Sequence, residues 1–105
     1  MSAGELYLRF DNIFFEKTRL SMLTLLYREE RVSFNRFKKL LAGTDGALYS
    51  HLKKLIDAEY ITGKKLVKGN AVETQYTLTA YGRTHFKKYL DFLEQSVLND
   101  TKGGR

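Results

Sequence analysis

Ser33 to Glu59, SFNRFKKLLAGTDGALYSHLKKLIDAE, limits what this chain can become more than any other stretch, because it carries two helical periods around a tight turn. Ser33 is a good N-cap, and Phe34, Phe37, Leu40 and Leu41 follow it at helical spacing. Gly43 supplies the left-handed residue that ends a helix, and Thr44 or Asp45 caps the next one. On a helical wheel Leu48, Leu52 and Leu55 form one stripe, while Gly46, Ser50 and Lys53 point the opposite way with Ala47 and Lys54 beside them.

That outward face is small at its N-terminal end and cationic further on. Small side chains and hydroxyls allow close approach to a DNA groove, and lysines behind them reach phosphates. The stretch therefore reads as a helix-turn-helix whose second helix, over 44–59, is the reading helix. Its bland alternative is an ordinary helical hairpin with a solvated polar face.

Charge favours the first reading. Eighteen Lys and Arg against twelve Asp and Glu leave +6 over 105 residues, which suits an anionic partner such as nucleic acid. The length suits one domain with a limited core. Without cysteine there are no disulfides, thiol nucleophiles or cysteine metal sites, and two separate histidines, His51 and His85, do not make a metal site. No apolar run has the length of a membrane span and the N-terminus lacks a signal-peptide core, so a cytoplasmic protein is expected. No nucleophile with a base, no carboxylate pair in a cleft and no phosphate-cradling glycine loop can be assembled, so neither an enzyme nor a cofactor is expected.

The flanking segments fill in an order of elements. Leu6, Leu8, Phe10, Ile13, Phe14 and Phe15 predict a short apolar helix capped by Asp11 or Asn12. Thr18 is placed to cap a helix to about Arg28, with Leu20, Leu23, Leu26 and Tyr27 as its buried stripe and Met22 and Leu25 broadening it. Val32 predicts a one- or two-residue strand. After Glu59 the period changes: 60–67 and 73–79 read as strands, the second with Thr74, Tyr76 and Leu78 on one face, around the turn Lys68-Gly69-Asn70. This hairpin over 60–79 carries Lys64, Lys65 and Lys68 near its tip and reads as a wing; alone, three such lysines are more often a solvated face than a binding site, and their place after a recognition helix reverses that balance. Thr79 caps a last helix to about Leu98, before a polar tail over 99–105.

Phe86, Leu90, Leu93 and Val97 on that helix follow a four-three-four spacing, widened by His85, Tyr89 and Phe92. With Leu6, Leu8, Phe10 and Phe14 they exceed what a small domain buries, and such surplus marks association. A twofold dimer joining the first (about 6–16) and last (80–98) segments of each subunit is expected around the 18–79 core; the alternative packs the two segments on each other within one chain.

The segments Lys17-Thr18-Arg19-Leu20-Ser21-Met22-Leu23, Gly46-Ala47-Leu48-Tyr49-Ser50-His51-Leu52-Lys53-Lys54-Leu55, Glu59-Tyr60-Ile61 and Tyr76-Thr77-Leu78-Thr79-Ala80-Tyr81-Gly82-Arg83 resemble prokaryotic winged helix-turn-helix transcriptional regulators, the small group related to MarR and ArsR. The likeness spans roughly residues 10–93. It implies a mainly α fold with a small β-hairpin (α+β), and a homodimer on pseudo-palindromic double-stranded promoter DNA. Gly46, Ala47, Tyr49, Ser50 and Lys53 fall where these regulators read bases or adjacent phosphates, and Ser33, Asn35, Arg36 and Thr44 where they clamp phosphate. Tyr49 also sits at the edge of the buried stripe, where packing is the alternative; His51 is expected to pack, and Arg19 to brace the motif. Relatives commonly carry wing-tip arginines, whereas this tip reads Lys68-Gly69-Asn70-Ala71-Val72-Glu73, which suits phosphate binding better than sequence reading. No residues identify a ligand pocket, although an aromatic dimer cleft involving Phe14, Phe15, Tyr89 or Phe92 could hold a small apolar effector.

The leading function is thus a dimeric, sequence-specific regulator, expected to repress by occluding a promoter because no second domain recruits polymerase. A winged-helix protein-interaction module and a non-specific architectural DNA-binding protein are the alternatives.

Overall fold

The computed structural model describes Gly4, Leu8, Phe10 and residues 12–99. Leu6, Asp11 and residues 100–105 lie outside the described residues. The first complete element among the described residues is a 3-10 turn, Asn12–Phe15, followed by helix α1 (Lys17–Glu29), strand β1 (Arg31–Ser33), α2 (Phe34–Leu40), α3 (Asp45–Asp57), β2 (Ile61–Lys68), β3 (Ala71–Leu78) and α4 (Ala80–Leu93). A π-helical turn, Glu94–Asn99, extends α4. The expected short N-terminal helix is this 3-10 turn, and the expected final helix changes its winding after Leu93.

Three caps lie where the sequence places them. The side chains of Ser33, Thr44 and Thr79 accept from the backbone N–H of Arg36, Ala47 and Gly82, the three-residue step of an N-cap. Thr18 is not the cap of α1. Glu16 takes that position, its carboxylate accepting from Arg19 N at 2.8 Å, so the helix starts earlier than the threonine suggests. Gly43 is not a cap either: α2 ends at Leu40 with an extended Leu41, and Gly43, at φ +128, turns the chain ahead of Thr44.

The strands form a sheet ordered β1-β3-β2, antiparallel throughout. β1 pairs Arg31, Val32 and Ser33 with Thr77, Tyr76 and Gln75, fastening the hairpin base to the helical layer. Beyond Lys64 the hairpin runs on as β2 and β3 alone.

The core is aliphatic at its centre and aromatic at one end. Met22, Leu23 and Leu26 of α1, Phe37 of α2, Leu48, Leu52 and Leu55 of α3 and Ile61 of β2 are buried together. The leucine stripe of α3 therefore faces inward as the wheel requires. At the other end Phe10 and Phe14 pack against Tyr89 at 5.4 and 5.3 Å between centroids, and Phe10 meets Phe92 at 5.4 Å. Gly82 lets α4 approach the sheet, because a Cβ there would lie 2.1 Å from the Tyr60 carbonyl oxygen.

This aromatic end corrects the expected dimer surface. Phe10, Phe14, Phe86 and Tyr89 are buried within one chain, at 7%, 1%, 1% and 7% exposure. Ring contacts of Phe10 and Phe14 with Phe86 and Tyr89 of α4, edge-on, tilted and stacked, consume them, which is the single-chain packing weighed as the alternative. The effector cleft assigned to Phe14, Tyr89 and Phe92 is filled by the same contacts; of its residues only Phe15 is exposed. Leu8, Leu90 and Val97 remain exposed and Leu93 half-buried, so the surplus apolar surface is smaller and lies along the outer side of α4.

Candidate nucleic-acid interface

Helix α3 is fixed from behind and left bare in front. Its rear carries Leu48, Leu52 and Leu55 at 1%, 1% and 0% exposure, burial that stabilises by about 1.5–3 kcal/mol per side chain and sets the rotation of α3. Gly46, Ala47, Ser50, Lys53 and Lys54 are then all exposed, as the wheel placed them.

Two contacts set how α3 leans. Tyr49 stacks on Phe34 of α2, with ring centroids 4.1 Å apart and 9° between planes, while remaining 50% exposed. It both packs and presents an edge outward. On the other side Arg19 donates from Nε to the Ile13 carbonyl at 3.1 Å and from Nη1 to His51 Nδ1 at 3.1 Å. An arginine only donates, so His51 accepts at Nδ1. Glu16 Oε1 lies 3.5 Å from the same nitrogen. Arg19 thus braces the motif, joining the 3-10 turn and the start of α1 to the middle of α3, and His51 packs as expected. Burial works to raise the Glu16 carboxyl, but the hydrogen bond from the Arg19 backbone N–H and the Arg19 charge hold the group below its ordinary range.

The residues expected to clamp phosphate divide. Ser33 and Thr44 use their hydroxyls as caps, which leaves each oxygen able to donate outward. Arg36 is exposed and forms a two-pronged pair with Glu29, Nε to Oε1 and Nη2 to Oε2, both at 2.7 Å. The Arg36 hydrogen bonds hold the Glu29 carboxyl below its ordinary range. Lys53 rests against Asp57 at 3.1 Å. Exposed pairs of this kind are weak and exchange readily for a phosphate. Asn35 shares a shallow depression with Lys38 and Lys39, and Lys38 reaches Asp45 at the start of α3, 3.2 Å away. Those two lysines were not among the candidates from sequence; a Lys-Lys pair at the end of the first motif helix was the available signal.

Lys64, Lys65, Lys68 and Asn70 are all exposed on the hairpin, but the lysines do not share a face. The register pairs Lys65 with Thr74 on the side of Tyr76, whereas Lys64 and Lys68 alternate to the opposite side. Lys65 lines a groove of about 640 Å³ with Tyr49 and Ile56 of α3 and Gly63, Thr74 and Tyr76 of the wing. Burial, with Tyr49 close by, pushes the Tyr76 phenol up. Ile56 and Thr74 escaped the sequence reading because only the tertiary arrangement makes them walls of one groove. Bare helix face, groove and wing form one continuous surface with lysines at both ends. Among the described residues no group of His, Cys, Asp or Glu would hold a metal, and no helix is long and apolar enough to cross a membrane.

Comparison with known proteins agrees with this geometry. A protein of Methanocaldococcus jannaschii is 41% identical over 78 residues, covering 74% of this chain and 85% of its own. A transcriptional regulator homologue from Pyrococcus horikoshii OT3 shares the fold with a TM-score of 0.79 at 22% identity, over 91% of this chain and 93% of its own. A MarR-family regulator structure from Enterococcus faecalis V583 shares it at 0.78 and 15% identity, over 100% and 94%. Bacillus subtilis PadR, solved with operator DNA, matches 67% of this chain and 44% of its own with a TM-score of 0.57 at 25% identity. The resemblance to MarR- and ArsR-type regulators carried by the four sequence segments is thus borne out at the level of fold. A family model described as the winged helix DNA-binding domain matches residues 18–97, from the start of α1 through the wing and α4, and this chain belongs to that family.

Proposed function

We propose that the protein is a dimeric, sequence-specific regulator of transcription that represses by occupying promoter DNA. The observation that carries the reading is the bare face of α3: Gly46, Ala47, Ser50, Lys53 and Lys54 are exposed in one continuous patch while the leucines opposite are buried. A helix used for protein contact would present an apolar front; this one presents small, hydroxyl and cationic groups that fit a major groove and its phosphates. In this reading Ser33, Asn35, Arg36 and Thr44 clamp phosphate around the helix, and Lys64, Lys65, Lys68 and Asn70 engage DNA from the wing. PadR supports it by analogy, since that protein was solved on operator DNA.

Two reading helices belong to one operator when two chains associate. Leu90, Leu93 and Val97, together with Leu8, supply the apolar surface for that contact, now without Phe10, Phe14, Phe86 and Tyr89.

The test is selection from a pool of random-sequence duplex DNA, repeated across salt concentrations. Enrichment of two half-sites about one helical turn apart is the expected result. Affinity should fall steeply with salt as bound phosphates release counterions. Tight binding without enrichment would instead indicate an architectural protein, and no binding at low salt would leave protein contact as the function. S50E/K53E should abolish binding while the unfolding transition stays in place, because both side chains point into solvent. Repression itself is read from a reporter placed behind the selected operator, whose output should fall when the protein is expressed.

A further inference from the structure

We propose that the wing tip reads the minor groove through an apolar cross-strand pair, Val67 and Val72, which packs on the deoxyribose walls and senses groove width. The inference rests on the duplex-DNA reading above. Val67 and Val72 are direct partners in the β2–β3 register. They are 75% and 64% exposed, more than every other large apolar side chain described except Leu8. Partners in an antiparallel pair project to the same side with their Cβ atoms about 5 Å apart, so the two form one small apolar ridge. A ridge in open water adds nothing to the fold.

Its position says what it meets. Side chains alternate along a strand, so the valines share the face of Lys65 and Thr74 and, further in, of Gly63 and Tyr76. That face forms the wing wall of the groove shared with Tyr49 and Ile56 of the reading helix, and the ridge continues the DNA-facing surface outward. Tyr76 is the last buried residue of the hairpin, and Val72 lies four residues beyond it. At about 3.3 Å per residue the tip projects roughly 13 Å, enough for a minor groove about 7.5 Å deep. Gly69 at φ +62 closes the turn tightly, which keeps the tip narrow.

The charge around the ridge selects the occupant. Lys65 stands on the valine face, and Lys64 and Lys68 on the other. A ligand with apolar inner walls and anionic rims satisfies both sets of groups, which describes a minor groove between its phosphates. An apolar protein surface would leave three ammonium groups without partners. Apolar side chains pressed into the minor groove respond to the width and deformability of the base steps there, so the wing reads shape where it lacks arginine.

The experiment repeats the duplex selection with wild type, V67T/V72T and K68A, with circular dichroism and thermal unfolding for each. Threonine keeps β-branching and volume, so the hairpin persists while the ridge becomes polar. V67T/V72T should keep the major-groove half-site, lose base preference at the flanking positions under the wing, and bind the wild-type site roughly tenfold more weakly with an unchanged salt slope. K68A should keep the flanking preference and lower the slope by about 0.9, one phosphate contact. Unchanged flanks and affinity for V67T/V72T would overturn the ridge while the DNA reading stands. A changed oligomeric state of that variant in light scattering would make the pair a contact between copies and overturn it too. Failure of the wild type to bind DNA would remove both. Hydroxyl-radical footprinting of the wild type needs no variant: protection of deoxyriboses flanking the half-site supports the ridge, and its absence refutes it.

Discussion

Replacing Gly82 by alanine should damage the fold far more than the same change at Gly46, although both glycines lie near the start of a helix. A Cβ at Gly82 would meet the Tyr60 carbonyl oxygen at 2.1 Å and the Tyr60 Cα at 2.9 Å, all of it backbone. Ordinary contact begins near 3.4 Å, so α4 and the strand entry must separate by roughly 1 Å in an interior with little slack. The same carbonyl accepts from Thr79 N at 3.0 Å, and the Thr79 hydroxyl bonds Glu59 O at 2.7 Å, so separation strains the junction that orients the last helix. Overpacking plus a weakened hydrogen bond amounts to about 3 kcal/mol, which in a domain of this size lowers Tm by about 12–25 °C. At Gly46 nothing lies within 4 Å of the added methyl, and alanine should stabilise α3 by about 0.5–1 kcal/mol through helix propensity. Urea and thermal unfolding of both variants measure the contrast. A loss under about 1 kcal/mol for G82A would refute the close approach of α4 to Tyr60.

The remaining expectations concern binding, assembly and pH. Glu29→Gln should tighten DNA binding, because it releases Arg36 and removes a negative charge beside it; an unchanged affinity in a fluorescence titration would take Arg36 out of the phosphate clamp. Replacing Leu90 and Leu93 with polar residues should give monomers by sizing with light scattering, and a persistent dimer would remove α4 from the contact. Glu16 and Glu29 have carboxyl groups held below their ordinary range in the folded chain, so their contribution to stability is complete above the unfolded value of about 4.3. It is lost as pH falls through the lower folded value. Thermal unfolding from pH 7 to 3 should therefore show an acid limb that is shallower in E16Q, where the amide oxygen still caps α1.

Much of the interface was legible because it depends on local periods. The leucine stripe of α3 dictates by geometry alone that Gly46, Ser50 and Lys53 face out, and the hydroxyls of Ser33, Thr44 and Thr79 mark three helix starts. Glu16 was missed as a cap because Thr18 is the stronger capping type two residues later, and the Arg19–His51 hydrogen bond beside it, which spans 32 residues, is invisible to local patterns. The wing lysines were legible as residues but not as two faces, since the face follows from the pairing register rather than from composition.

The sequence by itself therefore determined the element order and the buried and bare sides of α3, which follow from spacing within single segments, while the family followed from the resemblance of four segments to known regulators. The tertiary structure decided where the surplus aromatic residues go. Phe10, Phe14, Phe86 and Tyr89 look alike on a helical wheel whether they meet a partner or each other. Only the packing of Phe10 and the 3-10 turn against α4 closes them inside one chain. The same packing leaves Leu90 exposed and Leu93 half-buried on α4.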